Sequence, residues 1–315
     1  VLSRIAESLF WVGRYLERAD DTARILDAHV LHLLEDPSVG EGAVCRSLLH
    51  VMGLRVPPGG LDARRVNDVL AFDARGGSSI VASIVAARQS ARAIREVLSA
   101  EAWEALNATY HALPSEVDRA LRVGPHTFFR FVRERAALLA GLADSTMSRD
   151  DGWRFSVLGR SLERVDMTTR LLLARCGQPS TVADWVTTLA CCSAYEAYLR
   201  TYRRAVEPAL VVEFLLLDRL FPRSALHALG VAETCLAELD PEAGRAGVGD
   251  EARRVLGRAR TALEFLHPDE LAADLPAHLH RLQEACAAAG SAVTRRYFRP
   301  APVRTWSLEG SSPVP

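Results

Sequence analysis

Two stretches 146 residues apart, GRYLERADDTARIL at 13–26 and GRSLERVDMTTRLL at 159–172, share nine of their fourteen residues. The identities are Gly13/Gly159, Arg14/Arg160, Leu16/Leu162, Glu17/Glu163, Arg18/Arg164, Asp20/Asp166, Thr22/Thr168, Arg24/Arg170 and Leu26/Leu172. An offset so close to half of the 315-residue chain is the pattern of an internal duplication. It restricts the fold strongly, because whatever the first copy forms the second must form as well.

Both copies read as helix. At 100° per residue, Val12, Tyr15, Leu16, Ala19, Ala23 and Leu26 gather on one apolar side, while Arg14, Glu17, Asp20 and Arg24 share another arc edged by Arg18 and Asp21. Arg14 and Glu17 are three apart, and Asp20 and Arg24 four apart with the acid first. Exposed pairs at these spacings are worth only about 0.2–0.5 kcal/mol each, too little to require the same identities twice. Two readings do require them, while a third, an ancestral pattern retained on an unremarkable surface, does not. If the copies face one another, Arg14, Glu17, Arg18 and Asp20 meet Arg160, Glu163, Arg164 and Asp166 in a partly buried network that fixes the packing register. Alternatively, Arg14, Arg18, Arg160 and Arg164 line a cleft for a carboxylate or phosphate, oriented by the acids Asp20 and Asp166, since guanidinium groups bind such anions in a bidentate manner.

Helical periodicity extends over most of the remaining sequence, and alternating strand-like runs are scarce. The first helix is predicted from about Ser3 to Glu35, with DPSVG as its stop, followed by shorter helices at 43–50 and 62–70. A long helix from 79 breaks near Ser99, and PSEVDRALRVGP separates the next helix from the apolar one that starts at 127. Ser148, Asp150 and Asp151 suit the start of the second copy, because side-chain oxygens and negative charge both match exposed helix N–H groups. Helices follow from 181, in EPALVVEFLLLD, in PRSALHALGVAETCLAEL and in DEARRVLGRARTALEFL, then from about Glu270 to Phe298 with its main part starting near Pro276. The expected architecture is an all-α multi-helix bundle of two duplicated, mutually packed halves, about 1–145 and 146–298, followed by a Pro/Ser-rich extended tail at 299–315.

With 38 basic against 39 acidic side chains, the net charge of −1 offers no global field for nucleic acid or an anionic membrane, and neither is expected as a partner. The most apolar run, ALVVEFLLLDRLF at 209–221, is interrupted by Glu213, Asp218 and Arg219 and reads as a buried helix rather than a membrane span. Six cysteines without a C-x-x-C pair, and a start without secretory-signal character, read as buried reduced thiols in a cytoplasmic protein.

Other constellations carry less. Glu264 and His267 form the one E-x-x-H pair, where a di-iron bundle needs two with two further glutamates. His29 and His32 could touch one ion, yet an exposed pair near a helix end is the plainer reading. No metal or cofactor is expected. Cys191 and Cys192 lack the basic setting of a nucleophile and read as core. In DSTMSRDDGWRF, Trp153 and Phe155 read as a hydrophobic anchor at a helix start, with Asp144, Ser145, Thr146 and Arg149 as an alternative rim for a ligand or partner.

The segments LSRIAESLFWVGRYLERADDTARIL, ARQSARAIREVLSAEAWEALN, GLADSTMSRDDGWRFSVLGRSLERVD, LLLDRLFPRSALHAL and RRYF, in this order, resemble the bacterial alpha-E family of helical domains with a recurrent glutamate-arginine motif. That motif falls on Glu17 with Arg18 and on Glu163 with Arg164. Departures are Gln89 and Ser90, where an acidic residue followed by Asn is usual, and Ser161, where an aromatic residue is common. The resemblance implies coding beside a circularly permuted ATP-grasp protein and a transglutaminase-like peptidase, a pairing that makes and breaks amide bonds on peptides. The leading expectation is therefore a non-catalytic accessory or scaffold protein for such partners, with a peptide or carboxylate as its ligand. One alternative is an enzyme of peptide amide-bond chemistry in which Glu17 or Glu163 is the acid or base, which requires an open pocket and a shifted carboxylate pKa. The other is a purely structural homo-oligomer.

Overall fold

A computed structural model describes residues 2–35, 40–56, 61–177, 180–241 and 247–298. The tail at 299–315 and the DPSV of the expected first stop lie outside the described residues. Among the described residues there are fourteen α-helices and no strand: α1 Ser3–Glu35, α2 Glu41–Val51, α3 Ala63–Asn67, α4 Ile80–Arg92, α5 Ala100–Val123, α6 His126–Thr146, α7 Asp151–Leu173, α8 Val182–Cys191, α9 Tyr195–Tyr202, α10 Pro208–Leu217, α11 Ala225–Leu239, α12 Glu251–Glu264, α13 Pro268–Ala273 and α14 Leu275–Val293. The all-α multi-helix bundle is the fold.

Helix starts follow the side-chain chemistry. Ser79, Ser99, Asp150, Ser224 and Asp250 each accept a backbone N–H of the first turn, satisfying one of the donors a helix start leaves open. Pro208 and Pro268 stand where a missing N–H is harmless. Two boundaries differ from expectation. Pro114 does not end a helix but lies inside α5, which continues to Val123. The helix from 181 splits into α8 and α9 at Ser193, which takes a positive φ of 47°.

The long helices α1 and α7 pack directly on each other at the centre of the molecule. Around α1 lie α4 and α6, with α5 against both; around α7 lie α11 and α14, with α12 against both. Each quartet thus repeats the packing relations of the other. The turns leading into α4 and α11 match as well: Ser79 Oγ donates to the Asp73 carbonyl, and Ser224 Oγ to the Asp218 carbonyl, each six residues upstream. The larger cluster of buried apolar side chains draws on both quartets, from Leu9, Phe10 and Leu26 of α1 to Leu158 and Leu172 of α7 and Leu279 of α14. A smaller cluster, Val12, Ala87, Ala91, Leu106 and Leu139, lies among α1, α4, α5 and α6.

The crossing of α1 and α7 is set by glycine. A Cβ on Gly13 would lie 2.0 Å from the Ser156 carbonyl oxygen, and one on Gly159 would lie 2.1 Å from that of Phe10. Only a residue without a side chain lets the two backbones come so close. This explains the first identity in the repeat on packing grounds alone.

Candidate functional site

The glycine crossing brings the charged stripes of α1 and α7 together, and their pairing is reciprocal. Glu163 accepts from Arg14 Nε at 2.7 Å and from Arg18 Nε at 2.6 Å and Nη2 at 3.1 Å. Glu17 accepts from Arg164 Nε at 2.6 Å and Nη2 at 3.0 Å. Each glutamate is therefore held in a two-point grip by the arginine of the other motif, the strongest geometry available to such a pair. Both are buried, Glu163 to 1% exposure and Glu17 to 5%. Burial alone would favour the neutral acid, but Arg164 and Arg223 outweigh it and bring the Glu17 carboxyl down to about 2. Arg18 is likewise raised above the ordinary arginine value: burial opposes its charge, and Glu163 more than restores it.

Of the eight charges expected to meet, Arg14, Glu17, Arg18, Glu163 and Arg164 do so across the crossing. Asp20 and Asp166 instead pair within their own helices, to Arg24 at 2.9 Å and to Arg170 at 2.8 Å, as acid-first pairs four residues apart do. Arg14 is drawn to Glu163 rather than to Glu17, and its guanidinium also lies over the rings of Trp11 and Phe10. Arg160 stands apart. Its nearest carboxylate is Asp144 at 4.0 Å, and it makes no hydrogen bond among the described residues.

Sequence reasoning missed Arg223, which enters from the turn before α11. It approaches Glu17 at 3.2 Å and Asp20 at 2.5 Å, and also pairs with Asp21. It lies within the segment LLLDRLFPRSALHAL that carries part of the family resemblance, but some two hundred residues from the acids it serves, so no local pattern pairs it with them. Asp21 was placed at the edge of the stripe, yet it is 5% exposed. Burial, with Glu17 and Asp20 alongside, pushes its carboxyl up to about 8 despite Arg223. The oxygens of Glu17, Asp20 and Asp21 lie close enough to hold a cation, but Arg164, Arg223 and Arg24 already occupy that position with positive charge.

Beside this network lies a cavity of about 180 Å³. One wall carries Glu17, Asp20, Arg24, Arg160, Arg164 and Arg223. The others are apolar and come from Leu9, Val12 and Leu16 of α1 and from the small residues Ala102, Ala140 and Ala143 of α5 and α6. Arg14, Arg18 and Asp166 do not line it, so of the four arginines expected in the cleft only Arg160 and Arg164 do, joined by Arg24 and Arg223. At its edge, Arg149 donates to the Asp144 carbonyl at 2.8 Å and stacks 4.0 Å from the Trp153 ring centroid. Arg149 and Asp144 thus form the exposed continuation of the charged wall beyond Arg160. Ser145 and Thr146 bond to carbonyls of their own helix.

The remaining motifs resolve into structure. His29 and His32 are buried, at 4% and 6% exposure, contrary to the exposed pair expected. His29 Nδ1 contacts the Ile25 carbonyl at 2.7 Å, and burial lowers its pKa to about 4, so it is neutral. His267 caps α13, and Glu264 pairs with Arg260 and Arg219, so the E-x-x-H spacing brings no metal pair together. Cys191 and Cys192 are buried, and burial raises both thiols, Cys192 to about 12. Phe155 is the anchor expected of its segment, packed on Tyr297 and Phe298. No helix among the described residues is long and apolar enough to cross a membrane.

Comparison with known proteins agrees with the geometry. An uncharacterized protein of Mycobacterium bovis is 28% identical over 294 residues, covering 85% of this chain and 33% of the relative. Two uncharacterized proteins of Mycobacterium tuberculosis strains match over the same length at 28% and 27% identity, again covering 85% of this chain and 33% of each relative. The chain spans about a third of the length of these relatives. No solved structure matches. Residues 1–298 fit the family described as a predicted alpha-helical domain with a conserved ER motif. With Glu17–Arg18 and Glu163–Arg164 interlocked at its centre, the chain belongs to the Alpha-E family.

Proposed function

We propose that this domain is a non-catalytic helical accessory or scaffold module, built from a duplicated unit, that serves an ATP-grasp/transglutaminase-like peptide-modification system. The observation that carries the non-catalytic reading is the closure of Glu17 and Glu163. A general acid or base needs a pKa near the working pH and a free oxygen toward substrate. Glu17, at about 2, stays ionised, and both glutamates have their oxygens occupied by guanidinium donors. The repeated motif therefore acts as a latch that fixes two helix quartets in register. The module reading is supported by the relatives, in which the matching region makes up about a third of a longer chain.

A partner face is favoured at Leu220 and Phe265, which are 87% and 80% exposed. Their sequence neighbours Arg219 and Glu264 pair at 3.6 Å, placing both apolar side chains on one region of surface. Co-expression of the full chain with an ATP-grasp protein of the proposed partner class, followed by affinity capture at physiological salt, tests the proposal. The expected result is co-purification that Leu220→Asp with Phe265→Asp abolishes while the circular dichroism spectrum is retained. Absence of co-purification refutes the accessory role. Loss of a turnover activity in a folded Glu163→Gln variant refutes the non-catalytic one.

A further inference from the structure

We propose that the cavity beside the latch is a binding site for a carboxylate carried on a short apolar body, with Arg160 as the anion-binding residue. Three observations lead there. First, Arg160 has an unspent charge. It is only about a quarter exposed, its closest carboxylate is 4.0 Å away, and that carboxylate, Asp144, is shared with Arg149. Burial and the neighbouring Arg164 lower its pKa below the ordinary arginine value, and the opposing fields of Glu17 and Asp144 do not offset them. Its counterpart one repeat earlier, Arg14, has its carboxylate at 2.7 Å.

Second, the charged wall has an excess of cations. It carries four arginines and two acids, and Arg24, Arg164 and Arg223 are committed to Asp20 and Glu17. Arg160 is the one left over, with a planar fork of N–H donors suited to two carboxylate oxygens. Third, the rest of the cavity is apolar and of defined size. Ala102, Ala140 and Ala143 leave room opposite Leu9 and Leu16, and about 180 Å³ is somewhat more than the roughly 150 Å³ that takes up benzene. A tail of about six to eight carbons fits that space. Such chemistry has two sources, a free medium-chain carboxylate or the C-terminal residue of a peptide ending in an aliphatic side chain.

The inference adds a ligand to the proposed accessory module, and its test is separate, because it measures binding without a partner protein. Isothermal titration calorimetry of the full chain is run with octanoate and with octanol, and then with the tripeptide Ala-Ala-Leu and its C-terminal amide. Binding of octanoate but not octanol assigns a free carboxylate; binding of the tripeptide but not its amide assigns a peptide C-terminus. Arg160→Gln is expected to weaken the bound acid by roughly tenfold to a hundredfold, the worth of a charge-assisted hydrogen bond. Ala140→Leu, which fills the apolar end, abolishes binding with the fold retained. The inference is overturned if neither acid binds, if the uncharged analogues bind equally well, or if either variant binds as tightly as the parent. Co-purification with the partner that survives Arg160→Gln separates failure here from failure of the accessory role.

Discussion

Replacing Gly13 by Ala reverses the usual sign of a helix-interior Gly→Ala change. In an unconstrained helix, alanine is favoured over glycine by about 0.8–1 kcal/mol. Gly141 in α6 is such a position, exposed and with nothing within 4 Å of where a Cβ would stand, and Gly141→Ala is expected to stabilise the protein by about that amount. At Gly13 the new carbon lies 2.0 Å from the Ser156 oxygen, 1.4 Å short of the 3.4 Å at which ordinary contact begins. Because the obstacle is backbone, α1 and α7 must part by about that distance locally. A gap of 0.5–1 Å already forfeits roughly a quarter to a half of the dispersion energy between facing atoms. The same displacement lengthens the 2.7 Å Arg14–Glu163 bond, one residue along, beyond hydrogen-bonding range. Overpacking of this kind costs about 1–3 kcal/mol, and the strained ion pair brings the expected loss to about 3 kcal/mol or more. Urea unfolding followed by circular dichroism, with m-values compared to ensure a common transition, measures both variants. If Gly13→Ala is neutral or stabilising, the backbone crossing is not the constraint that fixes the repeat.

Glu163→Gln keeps the shape of the side chain but leaves Arg14 and Arg18 without a counter-charge. It should destabilise by about 2–3 kcal/mol in the same assay, toward the low side for a buried pair because both arginines keep some access to water; a loss under about 0.5 kcal/mol refutes the latch. Stability should also fall as pH rises from 6.5 to 8. Asp21, pushed up to about 8 in the fold, keeps a proton there that the unfolded chain has released, so its contribution is full below about 3.8 and is lost as pH rises through 8. Between 4 and 6.5, His29 has the opposite slope, because its folded pKa of about 4 makes stability fall with falling pH, and the two nearly cancel. Below about 4.5, Glu17 adds a further loss on the acid side as pH falls toward 2. A pH series of urea midpoints should show a plateau near 4.5–6.5 and an alkaline decline of up to about 1.4 kcal/mol per pH unit that Asp21→Asn removes; no decline, or one unchanged in that variant, refutes the protonated Asp21.

The long helices were legible because their periodicity and caps are local: Ser3–Glu35 and the start at Asp150 with Asp151 appear as the sequence predicts. Pro114 misleads because a single missing N–H is tolerated in a helix whose two flanks both pack. In the site, residue identities at the repeat pointed to Glu17, Arg18, Glu163 and Arg164, but not to which arginine would grip which glutamate. Arg14 and Arg160 look equivalent in sequence and end in different environments, one clamped on a glutamate and one without a close carboxylate. His29 and His32 looked like an exposed helix end because α8, which covers them with Cys191, comes from the other half of the chain. Such features depend on tertiary placement, which no window of sequence contains.

The difference between Arg14 and Arg160 has a traceable cause. The repeat offset of 146 places Met167 where the first copy has Asp21, and the matching turns before α4 and α11 place Ser78 where the second half has Arg223. An extra acid on α1 is thus accompanied by an extra base on the turn before α11, and both are absent from the corresponding positions. Arg223 gives Glu17 a second cation, so Glu17 does not draw in Arg160 as Glu163 draws in Arg14. On the far side of the crossing, Arg14 lies on Glu163 and over the rings of Trp11 and Phe10, and a Cβ on Gly290 of α14 would stand 3.9 Å from its guanidinium. On the near side, alanines of α5 and α6 leave a space that the wall arginines face. The same exchange of side chains that makes the network asymmetric therefore leaves Arg160 without a close carboxylate on the side where the cavity lies, which is where the proposed carboxylate site falls.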